Sequence, residues 1–257
     1  MITKTEIAEP EVQFTNEPVI KLSNVSKSFG TNKVLKDFDF VLNKGENVVV
    51  LGKSGSGKSV LIKCIIGLIK PDSGKINVLG KNIPELRNEE LDKIRAKVGF
   101  LFQSNALYDS MSVRENLEFP LRRHKAKMVK TQIDELVVEA LTNVGLAHTI
   151  DMRTSELSGG MKKRIALART LILKPEIILY DEPTTGLDPI TGKEISKLMR
   201  ELAKTYHTSS IIISHDLNCV KIVADSIVML IDGKCYAQGK YEELERSTDK
   251  KIQEFFL

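Results

Sequence analysis

No uninterrupted apolar run in the 257 residues reaches the ~18–20 needed to cross a bilayer, so the chain is not expected to span a membrane by itself. Residues 1–18 are mixed polar and acidic, include Pro10 and Pro18, and lack the apolar core of a secretion signal. They read as a flexible N-terminal arm, and a cytoplasmic location is expected. Cysteine is scarce: Cys64, Cys219 and Cys235 are odd in number, widely spaced and free of any C-x-x-C pair. That excludes a disulfide framework or zinc site and leaves reduced packing thiols. An excess of one charge is missing too, since 38 Lys+Arg against 34 Asp+Glu leaves only +4. Such a balance argues against a nucleic-acid partner, and the basic clusters (Arg122, Arg123, Lys125, Lys127; Lys162 to Arg164) read as solvated helix faces. No repeat of 20–50 residues is present, nor are sustained heptads.

What is present is ordinary globular material. Hydrophobic residues at 42% and charged residues at 28% exclude disorder for most of the chain. From Val19 a strand runs into a turn at Phe29-Gly30, and Phe38 and Phe40 alternate with Asp37 and Asp39 as in a half-buried antiparallel strand. Val48 to Leu51 is different, being short, continuously apolar and β-branched, as expected of a parallel strand buried on both faces. A helix is expected from Ser59 to about Ile69, then a turn at Pro71-Asp72-Ser73-Gly74 and a strand over 75–79. Residues 104–170 read as long helical patterns without a strand, such as 129–144, and suggest an inserted α-helical subdomain. Strands return at 177–180 and 210–214, separated by a helix over 189–205. A hairpin turning at Asp232-Gly233 and short helices after Tyr241 complete the pattern.

Gly52-Lys53-Ser54-Gly55-Ser56-Gly57-Lys58-Ser59 fits G-x-x-x-x-G-K-[ST] at every fixed position, with a buried strand before it and a helix after it. The glycines let backbone N–H groups converge on a phosphate, and the helix start adds positive dipole. Lys58 can reach the terminal phosphates, and the Ser59 hydroxyl can ligate Mg²⁺. A nucleoside triphosphate is therefore the expected ligand. Asp181 and Glu182 end the apolar strand 177–180, and in a parallel sheet ligands sit at the carboxyl ends of strands. Asp181 is placed to hold Mg²⁺ through its water shell. Glu182, whose side chain diverges from its neighbour on an extended chain, is placed to polarise an attacking water. Of the histidines, only His215 follows a core strand; His124, His148 and His207 lie in polar sequence. It is assigned a γ-phosphate sensing role. Leu157-Ser158-Gly159-Gly160-Met161 makes a second glycine-rich helix start, and a second phosphate site in one chain suggests service to another copy of the protein.

Taken together, the chain from Val19 to Leu257 resembles the ATP-binding cassette (ABC) ATPases. The resemblance implies an α/β P-loop NTPase fold: a RecA-like parallel-sheet core with an antiparallel β subdomain and the inserted helical subdomain. It also implies ATP and Mg²⁺ as ligands. Ser158, Gly159 and Gly160 resemble the signature that caps ATP on the opposite subunit. Phe29 matches the aromatic position that stacks on adenine, and Gln103 the glutamine that touches Mg²⁺ and communicates with a membrane partner. Gly186-Leu187-Asp188 resembles the loop that crosses the dimer interface, so a head-to-tail homodimer is implied. Most cassettes carry Gln where this chain has Met161, which removes a polar contact at that position.

That departure, with Phe102-Gln103-Ser104-Asn105-Ala106-Leu107-Tyr108 and Ser112-Val113-Arg114-Glu115-Asn116-Leu117, is similar to the ATPases of bacterial Mce-associated phospholipid transporters. Those systems imply a polytopic permease, an Mce-type lipid-binding protein and the cytoplasmic face of the inner membrane. Some members carry a C-terminal extension that clasps the partner ATPase; ending at Phe255-Phe256-Leu257, this chain is expected to lack it or to have it much reduced. The alternatives are another cargo (amino acid, metal or lipoprotein) and a soluble ATP-gated clamp on ribosomes or DNA. A single phosphate loop, a single signature and the missing heptads count against the clamp.

Overall fold

Strands that are apolar at every position need cover on both faces, and this requirement organises the molecule. The computed structural model describes residues 17–256. In it β1 (Pro18–Phe29), β2 (Asn32–Asn43), β4 (Ser73–Val78) and β5 (Lys81–Asn82) form a four-stranded antiparallel sheet ordered β2-β1-β4-β5. β3 (Asn47–Leu51), β6 (Val98–Leu101), β7 (Ile177–Asp181), β8 (Ser209–Ile213), β9 (Ser226–Ile231) and β10 (Lys234–Gly239) form the second sheet, ordered β10-β9-β3-β8-β7-β6. Its pairings are parallel except that of β10 with β9. β3, β7 and β8 are buried at all positions.

Alternation along these central strands divides the interior in two. Val48, Val50, Leu179 and Ile211 pack with the antiparallel sheet and with α1 (Lys58–Ile65) and α2 (Asn88–Arg95). Val49, Leu51, Ile178, Tyr180 and Ile212 pack with α3 (Val113–His124), α4 (Lys130–Asn143), α5 (Gly159–Leu171), α6 (Pro189–Tyr206) and α7 (Leu217–Val223). α8 (Tyr241–Glu245) and α9 (Lys250–Gln253) follow the hairpin β9–β10, whose turn places Asp232 (φ 53°) and Gly233 (φ 81°) in the left-handed region. Among the described residues no helix is long and apolar enough to cross a membrane.

The expected helix from Ser59 to Ile69 is shorter, ending at Ile65. Gly67, at φ 67°, turns the chain out, and the Arg95 guanidinium donates to the freed carbonyls of Ile66 and Gly67, both at 3.1 Å. Residues 104–112 are not helical. They are tied to α3 instead: buried Asn116 donates to Tyr108 O (3.1 Å) and accepts from Tyr108 N (2.8 Å). Ser112 and Glu115 form a reciprocal cap at the start of α3. Helix α5 starts at Gly159, within the expected glycine-rich helix start. Of the expected N-terminal arm, residues 1–16 lie outside the described residues, and Pro18 already belongs to β1.

Candidate nucleotide site

β3 delivers the chain into residues 52–59, where space, not sequence preference, dictates glycine. A Cβ on Gly52 would lie 2.6 Å from Ser56 Oγ and 2.7 Å from Leu230 O. One on Gly57 would lie 2.6 Å from Val34 Cγ1, and Gly57 is at φ 105°. A Cβ on Gly233 would likewise come within 2.7 Å of the Val34 carbonyl oxygen. Gly57 leaves the start of α1 with no side-chain cap, so no capping side chain satisfies its first-turn N–H groups. Lys58 folds back, its Nζ donating to Gly52 O (2.6 Å) and Lys53 O (3.0 Å). Burial lowers its pKa, with Glu182 and Asp181 opposing the shift.

Ser59 Oγ donates to Asp181 Oδ1 at 3.1 Å, at the end of β7. Burial raises the Asp181 carboxyl above its ordinary range, against the Ser59 bond and the nearby lysines 63 and 58. Glu182 departs from the extended geometry expected of it. Its backbone is left-handed (φ 51°) and pinned by a bond from its N–H to Ile213 O at 3.0 Å. This bend, and not strand alternation, parts its carboxylate from that of Asp181. Glu182 Oε2 meets His215 Nδ1 at 2.8 Å and accepts from Thr185 Oγ1 at 3.3 Å. Next along each segment, Thr184 Oγ1 donates to Asp216 Oδ2 at 3.1 Å, tying the two loops together.

A cleft of about 670 Å³ collects Phe29, the loop from Gly52, Ser54 and Gly55 to Gly57, Lys58 and Ser59, and Gln103, Glu182 and His215. Ser158, Gly159, Gly160 and Asp188 do not line it. Ser158 caps α5, its Oγ accepting from Met161 N at 3.3 Å. Asp188 caps α6, accepting from Ile190 N and Thr191 N at 3.1 and 3.0 Å. Hydrogen bonds from Thr191, then from Ile190, hold its carboxyl below the usual range. The two caps are neighbours: a Cβ on Gly160 would lie 2.9 Å from Thr191 Cγ2, and one on Gly159 4.0 Å from Leu187.

Four participants escaped the sequence reading. Glu254 and Phe255 line the cleft, and Glu254 pairs with Lys53 at 2.6 Å across 201 positions. No local pattern signals that contact. The other two rise from α5 to the segment after Gln103. Buried Lys163 donates to Gln103 O at 3.2 Å, and burial pushes its pKa down to about 8. Arg169 donates to Ala106 O (2.8 Å) and Asn105 O (3.0 Å), holding two consecutive non-glycine residues at φ 50° and 64°. Lys163, expected on a solvated helix face, is instead buried, and no local pattern signals what either side chain meets.

The ABC transporter family model matches residues 35–185, over half of the chain. The chain belongs to the ABC transporter family. The chloroplastic protein trigalactosyldiacylglycerol 3 of Arabidopsis thaliana is 40% identical, with 93% of this chain and 74% of the relative covered. The intermembrane phospholipid transport ATP-binding protein MlaF of Haemophilus influenzae is 36% identical over 93% of this chain and 90% of its own. The methionine import ATP-binding protein MetN of Clostridium tetani is 36% identical over 88% and 70%. A solved ATP-binding cassette, a dimer in a post-hydrolysis state with ADP and phosphate bound, superposes with a TM-score of 0.78 at 33% identity, covering 86% of this chain and 98% of its own. The chain thus has the ABC ATPase fold expected from its motifs, and it is an ATP-binding, ATP-hydrolysing transporter subunit.

Proposed function

We propose that this subunit powers the movement of phospholipid across or between bacterial envelope membranes. It would act as a head-to-tail homodimer on the cytoplasmic face of the inner membrane, beneath a polytopic permease and an Mce-type lipid-binding protein. The observation that carries the dimer is the division of the site: the cleft gathers Lys58, Ser59, Gln103, Glu182 and His215, while Ser158, Gly159 and Gly160 do not line it. The dimeric solved cassette supports the same reading. The cargo rests on the phospholipid-transport relative and on the Met161 signature.

The residues fit ATP and Mg²⁺. Gly52 and Gly57 let the loop lie close against Leu230 and Val34, where a Cβ would clash, Gly55 faces open space, and buried Ser56 Oγ has no partner among the described residues. For the cation, Ser59 and Asp181 offer a hydroxyl and a carboxylate oxygen 3.1 Å apart. No group of three or more His, Cys, Asp or Glu able to hold a metal occurs among the described residues. Few protein ligands, with phosphate and water completing the shell, is the habit of Mg²⁺; Gln103, which lines the same cleft, would supply a further oxygen. When bound, Mg²⁺ neutralises charge building on the β- and γ-phosphate oxygens.

Lys58 spends two of its three donors on loop carbonyls, which aims the third at a phosphate oxygen. Phe29 stacks on adenine. Glu182 uses Oε2 for His215 and Thr185, leaving Oε1 to take the proton of a water as it attacks the γ-phosphorus and ADP departs. His215, held through Nδ1, turns Nε2 toward the γ-phosphate. Ser158 and Gly160 of the second copy close the site, with Asp188 beside them at the interface. Loss of phosphate then releases the copies, and the segment after Gln103, gripped by Lys163 and Arg169, carries the change to the permease.

The test is isolation from membranes of the native host. Co-purification with a polytopic permease and an Mce protein carrying phospholipid is expected. Recovery with an amino-acid-binding partner would overturn the cargo, in line with the methionine-import relative. Recovery on ribosomes or DNA would overturn transport itself.

A further inference from the structure

The aromatic wall of the cleft is held by a carboxylate from a distant turn. Phe29 is the last residue of β1 and half exposed. On one side, Lys27, Ser28 and Phe29 pair with β2. On the other, pairing with β4 ends at Ser26↔Ser73, so the last stretch of β1 has no strand beside it. Asp72 stands in that place. Its Oδ2 accepts from Ser28 N at 2.6 Å, its Oδ1 accepts from Lys27 Nζ at 2.7 Å, and its own N–H donates to Ser26 O at 2.8 Å. Lys27 Nζ in turn lies 5.4 Å from the centre of the Phe29 ring. The turn is brought this close by Gly74, at φ 91°, where a Cβ would sit 2.4 Å from Asn24 O.

We propose that Asp72 is a positioning residue for nucleotide selection: it substitutes for a missing strand, fixes residues 26–28, and so presents Phe29 to the base. This rests on the reading of Phe29 as the adenine wall. The carboxylate serves both halves of the clamp. One oxygen replaces the ladder acceptor that Ser28 lacks, and the other parks the Lys27 ammonium against one face of the ring, leaving the opposite face for a purine. The two donors also hold the Asp72 carboxyl below its ordinary range, Lys27 contributing most, so the clamp is charged throughout the neutral region. Its loss loosens the wall without touching Lys58, Ser59, Glu182 or His215.

The experiment compares ATP with UTP on the full chain, measuring Kd, KM and kcat for Asp72→Ala, Asp72→Asn, Phe29→Ala and Asp39→Asn. Stacking a base on an aromatic ring is worth roughly a 5- to 150-fold change in affinity. Asp72→Ala is expected to weaken ATP about fivefold, UTP less, with kcat within about twofold. Asp72→Asn, which keeps one acceptor, should fall between Asp72→Ala and the parent. Asp39→Asn is the control. Asp39, on β2, accepts at 3.0 Å from the N–H of Asn24, on the same strand as Phe29, and loss of its charge should leave the ATP-to-UTP ratio unchanged. If Phe29→Ala lowers the ratio and Asp72→Ala does not, the clamp is overturned and stacking stands. If Phe29→Ala changes nothing, the stacking reading fails and takes the clamp with it. An equal loss of kcat with both nucleotides, or an equal effect from Asp39→Asn, would mark Asp72 as merely structural and overturn the proposal.

Discussion

Two helices of this chain begin beside glycines, and they begin differently. Before α1, Gly57 is left-handed and offers no side chain to the helix start. Before α5, Ser158 is extended and closes the first turn onto its own hydroxyl. Neither first turn contains an acid, although α2, α3 and α8 place Glu there, where the dipole favours it. The open start suits an anion bound within its own chain. The capped start keeps its shape with nothing bound and presents Gly159 and Gly160 outward. One sequence cue, glycine before a helix, thus covers two different starts, one open and one capped, which the proposed function takes as cradle and lid.

The comparison can be broken at four places. Glu182→Gln should slow hydrolysis by roughly 10²–10⁴-fold while nucleotide stays bound, so that ATP-held dimers accumulate on size exclusion; near-normal turnover removes Glu182 from the chemistry. Lys58→Ala strips the open start of its charged donor. Charged hydrogen bonds are worth about 1.5–3 kcal/mol, so equilibrium binding should find ATP weakened by about one to two orders of magnitude. Ser158→Ala, combined with Glu182→Gln, should leave single-chain ATP affinity alone but abolish those dimers, and should cost about 0.5–2 kcal/mol in urea unfolding through the lost cap. If the dimers persist, the capped start is not the lid. The smallest effect belongs to Gly160→Ala, whose methyl meets only the end of the Thr191 side chain at 2.9 Å. A loss of about 1 kcal/mol is expected, recovered by adding Thr191→Ala.

How much of this was legible in the residues depended on whether a constraint was local. The loop 52–59 was readable because phosphate contact demands fixed spacing, and β3, β7 and β8 because burial on two faces demands unbroken apolar runs. The hairpin turn at Asp232-Gly233 was equally plain. α2 went unseen since only Leu91 and Ile94 of its eight residues are buried, and α7 is seven residues with no room for a period. The end of α1 was written in Gly67 but obscured by the apolar residues Leu68 and Ile69 beyond it. The bend at Glu182 could not be read at all, because what pins it is a hydrogen bond to Ile213, 31 residues away in another strand. Contacts such as Lys53 with Glu254 belong to the same class.

Val34 has a consequence of a different kind. Two glycines press on it, Gly57 from the phosphate loop and Gly233 from the β9–β10 turn. A loop of glycines and serines ordinarily carries a large conformational entropy, which a ligand must remove on each encounter. Wedged against β2, this one has already surrendered much of that freedom when the chain folds. Repeated cycles of binding and release then need not reorder it, and more of the affinity for nucleotide is left over for the dimer proposed above.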